Sequence, residues 1–212
     1  MPVLAAHIIA TAYGFWLPND PRGSWSDFVA SWELLRFGRA TKVKTRASVA
    51  HVAHNRQRRL AAKQALKYKP VRLNGAQARA VGRGFAQAVA EGNYTIHACS
   101  VLHEHVHLVV AAHDRPFERI TAHLKARATQ QLRAEGLHPF QHHAGPGESV
   151  PTPWAQGLWK VYCFDTDHVG NAIRYVEKNP AREGERPQRW RFVIPFAKDN
   201  SETKVVDLLR HS

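Results

Sequence analysis

The sequence is poor in cysteine and has no long apolar run, and each shortage excludes a class of protein. Its two cysteines, Cys99 and Cys163, are too few for a disulfide framework, and neither belongs to a paired-cysteine zinc motif. We therefore expect both to be buried thiols in a reducing compartment. No apolar run approaches membrane-spanning length, and the N-terminus lacks the basic start and apolar core of a signal peptide. The expected location is the cytoplasm.

Acidic residues are also scarce relative to basic ones. The 30 lysines and arginines stand against 17 aspartates and glutamates, which gives a formal charge of +13 and a pI near 10.3. Such an excess favours a polyanionic partner, with nucleic acid as the default. An anionic membrane surface would require an amphipathic basic helix with large apolar residues, and no such stretch is evident. We expect a nucleic-acid partner and no membrane.

The basic residues are concentrated between residues 36 and 72, which hold 12 of the 30, with no acid between Glu33 and Glu91. A solvated surface normally mixes both signs, so an all-basic run indicates a surface that follows phosphates. Residues 49–68 of this run are predicted to be helical. The predicted DNA contacts here are Arg56, Arg58, Arg59, Lys63 and Lys67.

A loop rich in proline and tryptophan precedes the basic run, at residues 16–25. Its Arg22 and Trp25 could clamp and stack on the bases of a single strand, because base faces stack on aromatic rings regardless of sequence. The alternative is that the tryptophans only pin the loop to the core. Both interpretations stay open at this point.

Residues 103–111 carry the clearest chemical signal. In a strand, side chains alternate between the two faces, so His105 and His107 share a face with Val109 while the other face is entirely apolar. Same-face neighbours lie roughly 6.6 Å apart along a strand, close enough for two imidazoles to reach one divalent ion. The pattern predicts half of a metal site.

Two other interpretations of this stretch must be weighed. His103, Glu104 and His107 spell the His-Glu-x-x-His pattern of zinc peptidases, which works only on a helix. The β-branched residues that follow, and the alternation of residues 94–101, favour two strands around a turn instead. The third interpretation is a strand whose histidines have only structural partners.

The order of predicted elements indicates an α+β protein. A split β-α-β unit on an antiparallel sheet is the ferredoxin-like (RRM-like) plan, with helices on one face and the other face available for a ligand. We expect one domain over 1–212, with a basic insertion at about 36–72 and a flexible loop at about 136–156. The predicted elements are strand 3–15, helix 74–92, strands 94–101 and 105–111, helix 117–135 and strand 159–164.

A last helix is predicted from its cap at Asp165 to Lys178, closed by an Asn-Pro pair. Beside its apolar face runs a polar stripe on which Tyr175 and Asn179 are one turn apart and point the same way. The pair could present a nucleophile and a third metal ligand together, and Asn171 on the same stripe is a further predicted DNA contact. The alternative for Tyr175 is a packed ring with a solvated hydroxyl.

These two motifs together resemble a known family. Residues 105–107 are histidine, valine and histidine after the acidic Glu104, and Tyr175 stands four residues before Asn179, which a proline follows. This combination resembles the HUH endonuclease superfamily with a single catalytic tyrosine, most closely the REP-associated, IS200-like tyrosine transposases. The sequence departs from the family at 181–185, where the usual small residues are replaced by charged ones, and in its long basic insertion.

The resemblance implies a transposase that nicks and rejoins single-stranded DNA, at hairpin or repeat sequences, on the HUH endonuclease fold. Tyr175 would form a 5′-phosphotyrosine intermediate, and His105, His107 and Asn179 would hold Mg²⁺ or Mn²⁺. Histidines alone suit softer metals such as Zn²⁺, so the choice of ion comes from the resemblance. It also implies a monomer or homodimer associated with the nucleoid. The main alternative is a non-catalytic module that binds single-stranded DNA or RNA without metal dependence.

Overall fold

Four antiparallel strands form the central sheet of the structure, a computed structural model that describes residues 1–15, 17, 20, 32–38, 53–143 and 149–197. The strands are β1 (Ala5–Thr11), β2 (Ile96–Val101), β3 (His105–Ala111) and β4 (Trp159–Cys163). Their order is β2-β3-β1-β4, with β1 antiparallel to both β3 and β4. This order confirms the predicted ferredoxin-like, α+β plan. The predicted contacts Arg22 and Trp25 lie outside the described residues.

Two long helices cover the apolar face of the sheet. The helices are α1 (Trp32–Leu35), α2 (Arg56–Gln64), α3 (Gly75–Gly92), α4 (Phe117–Ala134) and α5 (Thr166–Arg182), with a short 3-10 turn at Gln141–His143. Helices α3 and α4 contribute Phe85 and Leu124 to a core that also contains Ile8, Val106 and Leu108 of the strands. The predicted alternation of β3 is confirmed, because Val106 and Leu108 lie on the face opposite to the histidines.

Helix α3 begins and ends where the sequence predicted. The Asn74 side chain accepts a hydrogen bond from the Gln77 backbone N–H, and the Gln77 side chain accepts one from the Asn74 backbone N–H, which completes a capping box. At the other end, Asn93 takes the left-handed conformation (φ 51°) that commonly ends a helix. Each end thus satisfies backbone groups that the helix itself leaves without partners.

Helix α5 lies on the other face of the sheet, over the histidines' side. Val169, Ala172 and Val176 are buried in a second, smaller core with Ala98 and Val109. The prediction of helices on one face therefore holds for α3 and α4, whereas α5 covers part of the face that the sequence left available for a ligand. The buried cysteines, Cys99 and Cys163, are both free thiols, as predicted.

The end of α5 is a correction to the sequence prediction. The helix was expected to close at Asn179, but it continues through Pro180 to Arg182. Pro180 has no N–H to donate to the carbonyl four residues earlier, so α5 gives up one backbone hydrogen bond there, but the residues after it keep the helical conformation. The Glu183 backbone N–H still donates to the Asn179 and Pro180 carbonyls, which keeps the last turn closed. This additional turn brings Glu183 toward the sheet.

The segment after α5 runs along the edge strand β2 and occupies its unpaired backbone groups. The Gln188 side chain accepts a hydrogen bond from the Val101 N–H and donates one to the Val101 carbonyl, both at 2.8 Å. Further along, the Ile194 N–H donates to the Ile96 carbonyl at 2.8 Å. Covering an edge strand in this way prevents unwanted pairing with other chains.

The basic insertion contains a shorter helix than predicted. Helix α2 begins after its cap at Asn55, whose side chain accepts a hydrogen bond from the Arg58 N–H, and ends at Gln64. Residues 49–52 of the predicted helix, and 144–148 of the predicted flexible loop, lie outside the described residues. Within the described residues, none of the helices has the length and apolar character needed to cross a bilayer. The assignment of 1–212 to one domain stays a prediction.

Candidate functional site

The two histidines of β3 lie at its N-terminal end, side by side and buried. His105 pairs across the sheet with Thr11, and the ring centroids of His105 and His107 are 4.7 Å apart at a steep interplanar angle of 76°. His103 lies in the turn before the strand. A zinc peptidase would need a helix through His103 and His107, so the turn and strand found here exclude that interpretation.

A third histidine, His7 of β1, completes the group. Its Nε2 lies 3.0 Å from Nδ1 of His107, and the two rings stack with centroids 5.2 Å apart. A His107 that binds a cation through Nε2 must carry its proton on Nδ1, and it then donates this proton to His7 Nε2. His7 would therefore fix both the tautomer and the ring orientation of His107.

Burial keeps this pair of histidines uncharged. Removal from water lowers the pKa of His7 from 6.5 to about 4, with a smaller contribution from the neighbouring His168. Burial also lowers the pKa of His107 well below its usual value, and the nearby His105 and His7 act in the same direction. Neutral imidazole is the form that binds metals, so His107 needs no deprotonation to accept an ion at pH 7.

The lowered pKa of His7 predicts a loss of stability in mild acid. Its folded pKa lies below its unfolded pKa, so the unfolded chain binds more protons, and stability falls as the pH drops from about 6.5 towards 4. Between pH 7 and pH 5, His7 alone should lower the free energy of unfolding by about 2 kcal/mol. Urea unfolding at the two pH values measures this loss. His7→Gln should make the profile flatter, and an equally steep profile in that variant would contradict the assignment.

Tyr175 of α5 stands directly beside the histidines. Its ring centroid lies 5.6 Å from that of His107 and 5.5 Å from that of His7, both in edge-on arrangements. The side chain is 40% exposed, so the ring is held by the protein while solvent or a substrate can reach this position. Tyr162 of β4, a second tyrosine that could act as a nucleophile, is the strand partner of Ala6, and its side chain lies on the opposite face of the sheet in contact with Phe117 of α4. Only Tyr175 of these two lies with the histidines.

The next two turns of α5 continue along β3 toward its beginning. Asn179 is one turn beyond Tyr175 and only 6% exposed. One turn further, Glu183 Oε1 lies 3.6 Å from Nε2 of His105. Asn179 thus lies four residues after Tyr175 and four before Glu183, both of which contact the histidines. Helical spacing directs its buried side chain to the side of α5 that carries these two residues. Arg182 places its guanidinium 5.2 Å from the centre of the Tyr175 ring.

The donor chemistry of this group suits a divalent cation. The imidazoles of His105 and His107 in their neutral form, and the amide of Asn179, each offer a lone pair to an ion. Among the described residues, no three histidine, cysteine or carboxylate side chains already converge as a preformed metal site. A complete set of three ligands therefore needs Asn179 in addition to His105 and His107, and small rotations of these side chains when an ion binds. The hydrogen bond between His7 and His107 already orients the His107 ring.

The turn before β3 is tied to its surroundings by charged contacts. His103 Nε2 lies 2.7 Å from Glu185, and Glu104 lies 3.0 Å from Arg72 and 3.7 Å from Lys63. Lys63 belongs to α2, so the basic helix is attached next to the histidines. These contacts connect α2, the turn and the end of α5 into one neighbourhood around the site.

The predicted DNA contacts divide into exposed and paired residues. Arg59 lies 4.0 Å from the fully buried Asp20, and Lys63 pairs with Glu104, so both have acidic partners within the protein. Arg56 and Lys67 are exposed, as is Arg58, whose guanidinium donates to the Arg36 carbonyl. On α5, one turn before Tyr175, Asn171 is exposed and accepts a hydrogen bond from Arg174.

Sequence reasoning missed three residues that the structure brings to the site: His7, Arg182 and Glu183. His7 had a weak signal, since alternation in β1 puts this isolated histidine on the face of Ala5 and Ile9. Arg182 and Glu183 lay beyond the expected end of the helix. At seven and eight residues after Tyr175 they are on its side of the helix once α5 is extended by a turn.

No protein-family model matches the chain, and no curated protein sequence matches it either. Solved structures that are similar to it include the following two. One is a REP-associated tyrosine transposase bound to a REP hairpin: it is 13% identical, with a TM-score of 0.47, over 99% of this chain and 83% of that one. The other is a candidate transposase from Deinococcus radiodurans R1: it is 14% identical, with a TM-score of 0.38, over 84% of this chain and 92% of that one.

Proposed function

We propose that the protein is a metal-dependent transposase that cleaves and rejoins single-stranded DNA through a covalent bond to Tyr175. The observation that carries this proposal is the position of the Tyr175 ring, which is 40% exposed and lies 5.6 Å from the ring of His107. A tyrosine with only a packing role has no need of a buried, neutral histidine pair beside an accessible hydroxyl. The proposed substrate is single-stranded or hairpin DNA.

The chemistry is a transesterification at phosphorus. The Tyr175 hydroxyl oxygen attacks the scissile phosphate, and the bond from phosphorus to the 3′-oxygen breaks. The phenol gives up a proton and the departing 3′-oxygen gains one, which leaves a 5′-phosphotyrosine and a free 3′-hydroxyl. Attack of a 3′-hydroxyl on the phosphotyrosine reverses these steps and rejoins the strand. No energy source is needed, because one phosphodiester is exchanged for another.

His105, His107 and Asn179 would hold the ion, Mg²⁺ or Mn²⁺. When bound, the cation polarises the phosphodiester and offsets the charge that develops on its oxygens. With the ion bound, Nε2 of His7 would accept a hydrogen bond from the Nδ1–H of His107 and so keep Nε2 of His107 available for the ion. Burial lowers the pKa of His7 and of His107 and so disfavours the protonation that would compete with the ion.

Arg182 has a position from which it would hold the substrate phosphate. Its guanidinium lies 5.2 Å from the centre of the Tyr175 ring, and its side chain is exposed. Guanidinium groups bind phosphate oxygens with two parallel hydrogen bonds, which fixes the phosphate geometrically as well as electrostatically. We assign Arg182 the role of aligning the scissile phosphate for attack by Tyr175.

The packing of α5 supports a site formed by one chain. Val169, Ala172 and Val176 are buried against the sheet of the same chain, which puts Tyr175 beside the chain's own His107. A monomer would then be sufficient for cleavage, and a homodimer would carry two complete sites. Association with the nucleoid in the cytoplasm is part of the same proposal.

Incubation with single-stranded hairpin oligonucleotides and Mg²⁺ or Mn²⁺ tests this function. The expected product is a protein–DNA species that survives SDS, together with a shorter strand that ends in a 3′-hydroxyl. The adduct should not form in EDTA. Binding of the same oligonucleotides without an adduct, and with no dependence on metal, would instead identify the non-catalytic binding module.

Binding of single-stranded DNA should weaken steeply as salt is raised, and the exposed basic residues should set the slope. The double variant Arg56→Gln with Lys67→Gln removes two exposed charges that would contact phosphates. Each contact to a single strand contributes about 0.7 to the slope of log affinity against log salt, so the slope should fall by about 1.4. Fluorescence anisotropy over a salt series measures it.

The matched control removes two charges from another surface. Arg119 and Arg133 are exposed on α4, which packs on the face of the sheet away from the histidines. The double variant Arg119→Gln with Arg133→Gln has the same net charge as the test variant, and its salt slope should match that of the wild type. Equal salt slopes for the two double variants would show that Arg56 and Lys67 do not contact the phosphates of the bound DNA.

A further inference from the structure

The end of α5 and the segment that follows it carry four arginines and no lysine over residues 182–191. They are Arg182 at the end of the helix and Arg186, Arg189 and Arg191 after it. The last three, which we call the tail arginines, are all exposed. A guanidinium binds phosphate oxygens with two parallel hydrogen bonds, a geometry that the ammonium group of lysine does not offer. The choice of side chain therefore favours a phosphate partner.

Two anchors hold the backbone of this segment against the protein. The Gln188 side chain makes two hydrogen bonds of 2.8 Å to the backbone of Val101. The Trp190 ring packs against Gly82 of α3 so closely that a Cβ at this glycine would lie 2.0 Å from the ring. One tail arginine lies between these two anchors and the other two flank them. The exposed charges are thus carried by a docked backbone.

The tail arginines have no counter-charge of their own. Within the part of the chain that the structure describes, no carboxylate pairs with them, whereas Arg127 on α4 contacts a glutamate. The two acids nearest in sequence contact histidines instead, because Glu183 lies 3.6 Å from His105 and Glu185 lies 2.7 Å from His103. Three neighbouring positive charges without acidic partners create a positive potential that a polyanion offsets.

This positive segment starts beside the proposed active site. Val101, the backbone partner of Gln188, pairs with Val106 of β3, which is the residue between His105 and His107. The three tail arginines span at most about 17 Å of extended chain. A strand stacked as in a duplex presents a phosphate about every 3.4 Å, so several phosphates fall within this length. A single strand that passes the histidines and continues along β2 therefore meets the tail arginines.

We propose that the tail arginines bind the phosphates next to the scissile one, so that the single strand leaves the active site along the edge of β2. This inference rests on the proposed function, which supplies the substrate, and it assigns a second phosphate-binding surface in addition to α2. Phosphate contacts carry no sequence information, but they fix the register and orientation of a strand. The tail arginines would thus help to determine which phosphate reaches Tyr175.

The salt dependence of binding tests the proposal. The tail variant replaces all three arginines by glutamine: Arg186→Gln, Arg189→Gln and Arg191→Gln. Affinity for a single-stranded hairpin oligonucleotide is measured by fluorescence anisotropy in EDTA over a salt series. Each contact to a single strand contributes about 0.7 to the slope of log affinity against log salt, so the slope should fall by about 2 in the tail variant. An unchanged slope would overturn the proposal.

The matched control removes three exposed arginines from α3 and α4, on the other face of the sheet. It carries Arg79→Gln, Arg119→Gln and Arg133→Gln. Its net charge equals that of the tail variant, and its salt slope should match that of the wild type. Equal slopes in the two triple variants would reduce the effect to net charge and would also overturn the proposal.

Shortened oligonucleotides test the path of the strand. The cleavage products locate the scissile phosphate, and the strand is then truncated on either its 5′ or its 3′ side. Because the tail lies on one side of the site, the difference in affinity between the wild type and the tail variant should disappear for one truncation and persist for the other. A difference that persists with both truncations would contradict the proposed path.

The two proposals can fail separately, because salt slopes in EDTA require no cleavage. If no adduct forms with Mg²⁺ or Mn²⁺ but the tail variant still lowers the slope, the proposed cleavage is wrong and the phosphate-binding surface stands. If the adduct forms and the slope is unchanged, only the assignment of the tail arginines is wrong. A wild type without affinity for single-stranded DNA would overturn both.

Discussion

Replacing Tyr175 by Phe is expected to abolish the covalent protein–DNA adduct and to leave the fold unchanged. The substitution removes one oxygen and keeps the ring, so the contacts with His7, His107 and Arg182 are preserved. Because the side chain is 40% exposed, the hydroxyl has access to water, and its loss should change the free energy of unfolding by less than about 0.5 kcal/mol. Cleavage should fall at least ~1000-fold, since no other group replaces a missing nucleophile.

Mass spectrometry of the SDS-resistant species provides the direct measurement. Trypsin cuts after Arg174 and Lys178, so the nucleotide should be attached to the four-residue peptide 175–178. Tyr162→Phe is the matched control, because Tyr162 is similarly exposed but lies on the opposite face of the sheet. It should retain full adduct formation. A nucleotide found on any other peptide, or an adduct that persists in Tyr175→Phe, would disprove the assignment.

Arg182 gives this assignment a graded test. Arg182→Lys keeps a positive charge near the phenol, and Arg182→Ala removes it. If Arg182 aligns the phosphate through paired hydrogen bonds, lysine should restore only part of the cleavage rate lost with alanine. Single-turnover cleavage rates at saturating DNA measure alignment separately from binding.

Short-range patterns in the sequence were enough to predict the sheet and the position of Tyr175. Alternation put His105 and His107 on one face of β3, and helical spacing of Val169, Ala172 and Val176 fixed the rotation of α5. Both periodicities depend only on residues within one element, and the buried face of each element then determines where its polar face points.

Contacts between distant parts of the chain could not be predicted in this way. His7 meets His107 across 100 residues, and no local pattern specifies that two strands become neighbours with these rings in register. The basic run looked uniformly available for phosphates, yet Arg59 and Lys63 find their acids in Asp20 and Glu104, far away in sequence. The predicted end of α5 was wrong because proline was taken as a stop, whereas Pro180 removes only one backbone donor and the helix continues for two more residues.

Loss of either proposed histidine ligand should abolish cleavage without preventing DNA binding. His105→Ala and His107→Ala each remove a ligand, and cleavage should fall at least ~100-fold, which corresponds to about 3 kcal/mol in the barrier. The affinity for single-stranded DNA, measured in EDTA, should stay within about 3-fold of the wild type, since the proposed phosphate contacts are made by basic residues such as Arg56, Arg58 and Lys67 rather than by the histidines. Asn179→Ala should reduce cleavage less, because water can replace an amide ligand.

His103→Ala is the control that separates a metal role from a structural one. His103 is also a histidine, two residues before His105, but it lies in the turn and contacts Glu185 and the Leu73 carbonyl. Its loss should therefore lower cleavage by less than about 5-fold. His107→Ala also leaves the buried His7 without its hydrogen-bond partner, so this variant should lose about 1–3 kcal/mol of stability. The loss of cleavage should nevertheless be as large in His105→Ala as in His107→Ala. Cleavage that survives in His105→Ala, or in EDTA, would show that His105 and His107 have only a packing role. A loss of cleavage in His103→Ala as large as in His105→Ala would show that the loss comes from disturbing the turn before β3.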